Sequence, residues 1–277
     1  MNIMFCGDKN IQDGLMIAIL SLINQSKEKL NIYVLTLDVD MNGKHYEMIG
    51  DNLIDFLNGK VKEKDAESFV KKIDVTEHFK KEMPSANLGT RFTPCCMLRL
   101  FADEIEEIPD TVLYLDTDVI VKCDCSEFYY QDMDGIEIAG VLDYYGRWFF
   151  KKNPLKFDYL NSGVLLLNMK EIRKTGLFKK CRSRCTQKKM FMPDQSSLNK
   201  LAVNKKICPR RYNDQRRYHE DTVIQHFTTT FRFFPRVKTV TVKPWNIESV
   251  HNVLKLYQYD DVLDEFQNTK KEYLERL

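Results

Sequence analysis

A chain of 277 residues, 43% hydrophobic and 30% charged, is long enough to bury a core as one large α/β domain or two smaller ones. No apolar run approaches the ~20 residues that cross a bilayer, and the start, MNIMFCGDKN, has neither the basic nor the apolar part of an export signal, which predicts a cytoplasmic protein. The net charge of +2 conceals an uneven spread, 23 Lys/Arg against 6 Asp/Glu in residues 151–243 and 19 against 34 elsewhere, and no DNA- or RNA-binding motif accompanies the basic part.

In chain order, NIMFC (2–6) reads as a short apolar strand and DGLMIAILSLINQ (13–25) as a helix with an apolar stripe. NIYVLTL (31–37) is β-branched and aromatic, a buried strand. Residues 42–58 have amphipathic helical spacing, SFVKKIDV (68–75) is a weaker strand, CCMLRLFADEI (95–105) a helix after Pro94, and VLYL (112–115) a strand. This βαβαβαβ order predicts parallel strands with helices on both faces. Farther on, IEIAGVLD (136–143), LNSGVLLLN (160–168) and VIQHF (223–227) read as strands, MPDQSSLNKLA (192–202) as a helix capped near Asp194, and residues 250–266 as a packed amphipathic helix. Eight cysteines without an export signal point to reduced thiols. The pairs Cys123/Cys125 and Cys181/Cys185 do not have the spacing of a four-ligand zinc site.

The chemistry concentrates in VLYLDTDVIV (112–121), an apolar run interrupted by Asp116 and Asp118. An unpaired buried carboxylate is costly. In open α/β sheets, however, ligands bind outside the carboxyl ends of the strands, which is where VLYL runs out. The i, i+2 spacing points both carboxylates to one side of an extended chain. Two carboxylates so close repel unless a cation lies between them, and hard oxygen ligands suit Mg²⁺ or Mn²⁺ holding a phosphate. A polar turn closing a strand is the competing reading. Asp8 and Asn10 in CGDKN end the first strand at the same edge, without the glycine fingerprint of a dinucleotide site. The basic tract KKICPRRYNDQRR (205–217) is either a solvated face or a surface for an anionic substrate or membrane.

Seven markers in order, FCGDKN, Arg99, VLYLDTDVIV, LNSGVLLLN, PDQSSLN, QHF and KPWN, resemble glycosyltransferase family 8 over nearly the whole chain. The resemblance implies a GT-A fold, a Rossmann-like mixed α/β sheet flanked by helices. A catalytic domain would span 1–245, with a nucleotide-sugar half to about residue 121 and an acceptor half from 122, followed by a helical tail over 246–277. It implies a retaining transferase taking glucose or galactose from UDP-glucose or UDP-galactose to a saccharide acceptor, with Mn²⁺ (or Mg²⁺) as cofactor. By the same resemblance Asp116, Asp118 and His226 hold the metal. Cys6, Asp8, Asn10, Arg99, Thr117 and Lys243 contact the donor, and Asn161, Asp194, Gln195 and Asp143 surround the transferred sugar. The family's usual link from the histidine to KPW is short and contains glycine. Here TTTFRFFPRVKTVTV (228–242) is longer and has none, which opens Arg232 or Lys238 as alternatives to Lys243 for the phosphates. Its aromatics Phe231, Phe233 and Phe234 either pack on the domain or stack on sugar.

Double displacement needs a carboxylate beneath the sugar. The matching position is the amide of Gln195, so front-face transfer is favoured, with a covalent intermediate on Asp194 or Asp143 as the alternative. The resemblance further implies work on a lipid-linked surface glycan, of the lipopolysaccharide type, at the inner face of a bacterial membrane. The basic region then predicts peripheral contact with anionic lipid, and nucleic acid is not expected as a partner. Removing one aspartate of the pair is expected to relieve repulsion and stabilise the metal-free protein. The competing classes are a metal-dependent nucleotide-sugar-binding protein without transferase activity and a nucleotidyltransferase. The latter calls for a glycine-rich basic loop that FCGDKN does not supply.

Overall fold

The apolar runs 2–6, 31–36 and 111–115 become strands buried on both faces, because helices cover the sheet on either side. A computed structural model describes residues 1–88, 94–146, 158–232 and 238–277, with the side chains of 231, 232 and 238 left aside. Its strands are β1 (Asn2–Cys6), β2 (Asn31–Thr36), β3 (Val39–Met41), β4 (Lys44–Tyr46), β5 (Phe69–Asp74), β6 (Thr111–Leu115), β7 (Val119–Val121), β8 (Ile138–Leu142), β9 (Leu160–Asn168), β10 (Lys205–Ile207), β11 (Ile224–His226), β12 (Thr230–Arg232) and β13 (Lys238–Val240). Seven of them form the main sheet in the order β10-β8-β9-β6-β1-β2-β5. Alternate side chains serve opposite cores. Ile3, Phe5, Leu113 and Leu115 pack towards the helices Gln12–Gln25 and Asp51–Lys64, whereas Met4, Cys6, Val112 and Tyr114 pack towards the helices that follow Pro94 and Met169.

In the main sheet β1, β2, β5 and β6 are parallel, as the alternating order predicts. The second half makes the sheet mixed. β9 runs antiparallel to both β6 and β8, and β10 returns parallel to β8. This single reversal positions the site. The first residues of β9 meet the last of β6 and β8 at one edge, with Asp116 N donating to Gly163 O (2.7 Å) and Asp143 N to Tyr159 O (2.9 Å).

Three expectations need correction. Residues 39–46 form the β3–β4 hairpin rather than the start of a helix, because Asn42 and Gly43 take φ of 51° and 73°, the two-residue turn that matches strand twist. The helix there is Asp51–Lys64, opening after an extended Gly50. Pro94–Glu104 is wound as a 3₁₀-helix. Residues three apart therefore eclipse, and Arg99 Nε donates to Cys96 O (3.0 Å). The C-terminal segment breaks at Lys255, which has φ of 58°, and the long helix is Asp260–Glu275, tied to the helix Gln12–Gln25 by Lys270 on Asp13 (2.7 Å).

Arg182, buried on the helix Leu177–Gln187, gathers Glu82 (2.5 Å), Asp103 (2.5 Å) and Glu104 (2.6 Å) and donates to Leu100 O. Burial raises the Asp103 carboxyl against the pull of this guanidinium. Arg182→Met is expected to cost about 3 kcal/mol, the lower end for a broken buried pair because Glu82 and Glu104 are partly wet. The loss should shrink as pH falls through the carboxylate range, since protonation removes the uncompensated charge. Urea unfolding at pH 7 and at pH 4.5 measures both effects, and an unchanged midpoint at pH 7 contradicts them.

Candidate active site

Asp116 leaves the end of β6 with its carboxylate already engaged. Tyr114 Oη donates to its Oδ1 (2.6 Å), and Arg99 Nη2 donates to the same oxygen (3.0 Å). The Arg99 guanidinium lies 3.8 Å from the Tyr114 ring centroid, donates to Ser162 O, and reaches Asp194 Oδ2 at 3.5 Å. Burial works against its charge, but Tyr114, Asp116 and Asp194 more than offset this and lock the guanidinium in its charged form. Arg99 therefore braces two carboxylates from below.

His226 arrives through strand pairing. β11 runs antiparallel to β7 with His226 opposite Val119, which brings its Nε2 to 3.1 Å from Asp118 Oδ1 and 3.8 Å from Asp116 Oδ2. Its Nδ1 faces Asn213 Oδ1 (3.1 Å), which assigns the ring proton to Nδ1 and leaves Nε2 for the carboxylates. Lys243 Nζ contacts Asp118 Oδ2 as an ion pair and donates to Phe227 O (3.3 Å). Burial pushes the Asp118 carboxyl up, yet His226 and Lys243 beside it outweigh burial and hold the group well below the usual carboxylate range.

The floor of the site is β9. Asn161 Nδ2 donates to Asp143 Oδ2 (2.9 Å), and its Oδ1 accepts from Gly163 N (3.0 Å) and Asn213 Nδ2 (2.9 Å). Gln195, near the start of the helix Pro193–Leu201, accepts from Ser162 N (2.9 Å) through Oε1 and donates from Nε2 to Asp143 Oδ2 (3.3 Å). Ser162 Oγ donates to Asp194 Oδ2 (3.2 Å). Asp194 is 5% exposed, and burial raises its carboxyl despite Arg99.

Ten of the residues expected from the sequence thus come together at this edge. The Asp116–Asp118 pair, His226 and Lys243 form one group, and Arg99, Asp143, Asn161, Asp194 and Gln195 form the floor, with Thr117 buried between the aspartates. A Cβ on Gly14 would meet the Thr117 carbonyl at 2.5 Å and the Trp245 ring at 2.8 Å, so glycine lets the first helix close on this turn. Cys6 ends β1 and is buried, which raises its thiol. Asp8, also buried, accepts from both Asn10 N (3.0 Å) and Asn10 Nδ2 (2.9 Å), so these two bind each other. The longer link after His226 folds back as the β12–β13 pair and returns Lys243 to the aspartates. Arg232, Lys238, Phe231, Phe233 and Phe234 lie outside the described side chains. Ser162, Gly163, Tyr114 and Asn213 belong to the site without having been singled out. Asn213 lies inside the basic tract, where charge drew attention away from it.

Ligand atoms of Asp116, Asp118 and His226 all lie within 4.8 Å of one another, and among the described residues no other His, Cys, Asp or Glu group does so. Two observations fit a divalent cation. A carboxylate oxygen and an imidazole nitrogen 3.1 Å apart need a proton or a metal between them. Gly163 keeps the cradle open, since a Cβ there would meet Asp116 Oδ2 at 2.7 Å and run into the His226 ring. Two carboxylates with one imidazole are a donor set that a divalent cation accepts.

Comparison with known proteins gives the fold and the family. A Haemophilus influenzae protein described as a glycosyltransferase is 24% identical over 226 residues, 77% of this chain and 63% of its own length. The chain spans less than two thirds of the curated relatives it matches. A crystal structure of an active-site mutant of LgtC superposes with a TM-score of 0.71 at 18% identity, covering 98% of this chain and 96% of that one. The galactosyltransferase LgtC in complex with donor and acceptor sugar analogues gives 0.67 at 17% identity, covering 97% and 96%. At these identities the likeness carries the fold, which is GT-A. Residues 2–248 match the family described as "Glycosyl transferase family 8", and with that span covered the chain belongs to this family of glycosyltransferases.

Proposed function

We propose that the protein transfers glucose or galactose from a UDP-sugar to a saccharide acceptor with retention, with Mn²⁺ held by Asp116, Asp118 and His226. The observation that carries this reading is the meeting, at one sheet edge, of that metal-ligand group with the hydrogen-bonded floor of Asn161, Asp143, Asp194 and Gln195. When bound, a divalent cation offsets the diphosphate charge and stabilises UDP as a leaving group. Lys243, now paired with Asp118, would lie beside the same phosphates.

The floor residues favour front-face transfer. Gln195 presents an amide, a poor nucleophile, fixed at both ends by Ser162 and Asp143. Asp143 accepts from two amides, and Asp194 is tied to Arg99 and Ser162. Either carboxylate would accept hydroxyl hydrogens of the sugar on this floor, while the acceptor hydroxyl attacks from the side that UDP leaves. Retained configuration then needs no covalent intermediate. No described helix is long and apolar enough to cross a membrane. A lipid-linked acceptor of surface-glycan synthesis, met at the inner membrane face in the cytoplasm, is the setting that we propose for this chemistry.

Incubation with UDP-glucose or UDP-galactose and Mn²⁺ tests the reading. The expected result is slow donor hydrolysis without acceptor, with release of the α-anomer visible by NMR. Donor binding without turnover, with or without a panel of saccharide acceptors, overturns it in favour of a binding protein.

A further inference from the structure

On the far side of Asn213 lies a second cavity, of about 300 Å³, bordered by Tyr144, Ile207, Arg210, Arg216, Arg217 and His219. Its charge is unusual for the amount of carboxylate available. Asp214 is buried and already engaged: its Oδ2 accepts from His219 Nδ1 (2.7 Å) and Thr222 Oγ1 (2.7 Å) and pairs with Arg210. Arg210 also pairs with Asp221. Arg216 spreads over the Tyr144 ring, 4.4 Å from its centroid, and donates to the Tyr144 hydroxyl. No described carboxylate pairs with Arg216 or Arg217, and the undescribed stretches 89–93, 147–157 and 233–237 contain no Asp or Glu. The cavity thus holds two exposed guanidiniums without counter-charge beside an apolar wall that includes Ile207, itself 49% exposed.

This cavity shares a wall with the site described above. Asn213 lines it and hydrogen-bonds to both Asn161 and His226. Gln215 lines it, accepts from Tyr144 N (2.9 Å) and donates to Leu142 O (3.0 Å), holding both neighbours of Asp143. Only that layer separates the basic cavity from the floor where the sugar is expected.

We infer that the cavity is a subsite for a phosphate group carried by the acceptor, an inference that rests on the transferase reading. Guanidiniums recognise phosphate oxygens in pairs, and one held flat by an aromatic ring is already oriented for it. The volume, at the small end of ligand sites, suits one phosphorylated sugar unit rather than a nucleotide. The phosphate has two possible sources, a phosphosugar within the acceptor or the phosphate of a lipid.

Calorimetry at low salt with a hexose phosphate, the neutral hexose and Mn²⁺-UDP separates these claims. The native protein should bind the hexose phosphate and not the neutral hexose. Arg216→Gln/Arg217→Gln should weaken hexose phosphate by about tenfold or more while leaving Mn²⁺-UDP affinity within about twofold. Both side chains are exposed, so the fold should tolerate the change. Equal binding of hexose phosphate by native and variant protein, or none by the native protein, overturns the subsite. Failure of the native protein to bind Mn²⁺-UDP strikes instead at the transferase reading, and with it the assignment to an acceptor. Co-sedimentation with phosphatidylglycerol vesicles identifies the source. Binding that is lost in the variant and displaced by hexose phosphate points to lipid, and hexose phosphate binding without vesicle binding points to a phosphosugar. Vesicle binding that the variant retains and hexose phosphate cannot displace places the lipid contact on a flat basic face and overturns the cavity as its seat.

Discussion

Asp118→Asn is expected to weaken Mn²⁺-dependent UDP binding by about a hundredfold or more, at least the loss seen when a ligand's supporting shell is removed. It is also expected to lower the stability of the metal-free protein, contrary to what simple repulsion between two aspartates implies. Asp118 does not sit in a field of like charge: Lys243 and His226 both face it. Burial raises its carboxyl, but those partners outweigh burial and bring it far below the usual range, so the folded state prefers the ionised form. A group whose pKa is depressed by folding adds stability above its unfolded value and loses it as pH falls through the folded one. The variant should therefore melt below the native protein at pH 7, and the gap should close only under strong acid. His226→Ala should weaken the same binding less, since two carboxylates remain. Titration calorimetry with UDP at fixed Mn²⁺, alongside thermal melts without metal, checks each part. Native-like Mn²⁺-dependent UDP affinity in Asp118→Asn removes the metal assignment.

The reason Asp118 was legible in the sequence is local. An apolar strand that ends in two carboxylates at i, i+2 can place them only at the sheet's ligand edge, and Tyr114 and Arg99 explain how Asp116 is tolerated there. The long apolar run LNSGVLLLN was equally plain as a strand. Its direction was not. A run buried on both faces looks the same either way, so the reversal of β9 that brings Gly163 beneath His226 had no sign in composition or spacing. The turn at Asn42–Gly43 did carry a signal, an Asn-Gly pair, which the helical spacing around it masked. The break at Lys255 carried none, since lysine does not favour positive φ.

Residues that act through other residues were the hardest to find. Asn213 orients the His226 ring, and Ser162 joins Gln195 to Asp194, yet both are small polar residues in segments marked by other features. Arg99 shows the opposite case. The resemblance singled out the position for donor contact, and the geometry adds a brace, since one guanidinium bridges Asp116 and Asp194 and offsets part of their charge.

That brace bears on the second large effect. Gln195→Ala and Asp194→Asn are each expected to lower turnover by about a hundredfold, the scale of losing one oriented polar group at a reacting centre, while UDP affinity stays within about twofold. Neither side chain is among the metal ligands, and both face the β9 floor. The two variants should part company in stability. Gln195→Ala opens a buried polar network, leaving Ser162 N without its acceptor and taking one of two amide donors from Asp143 Oδ2, and should melt lower. Asp194→Asn should melt higher at pH 7. Burial raises the Asp194 carboxyl above its unfolded value even with Arg99 nearby, so ionisation is a cost in the folded state. A group raised in this way gives its full stability below the unfolded pKa and loses it as pH climbs through the folded one. The asparagine keeps the shape of the neutral acid and avoids that loss, and Arg99 retains Asp116. The advantage of Asp194→Asn should therefore fade as pH drops into the acid range, where the native carboxyl is protonated as well. Melting curves from pH 4 to pH 8 measure it, and steady-state kinetics at saturating donor measure turnover. A variant that loses UDP affinity but keeps its turnover would show that Gln195 or Asp194 serves the nucleotide rather than the sugar.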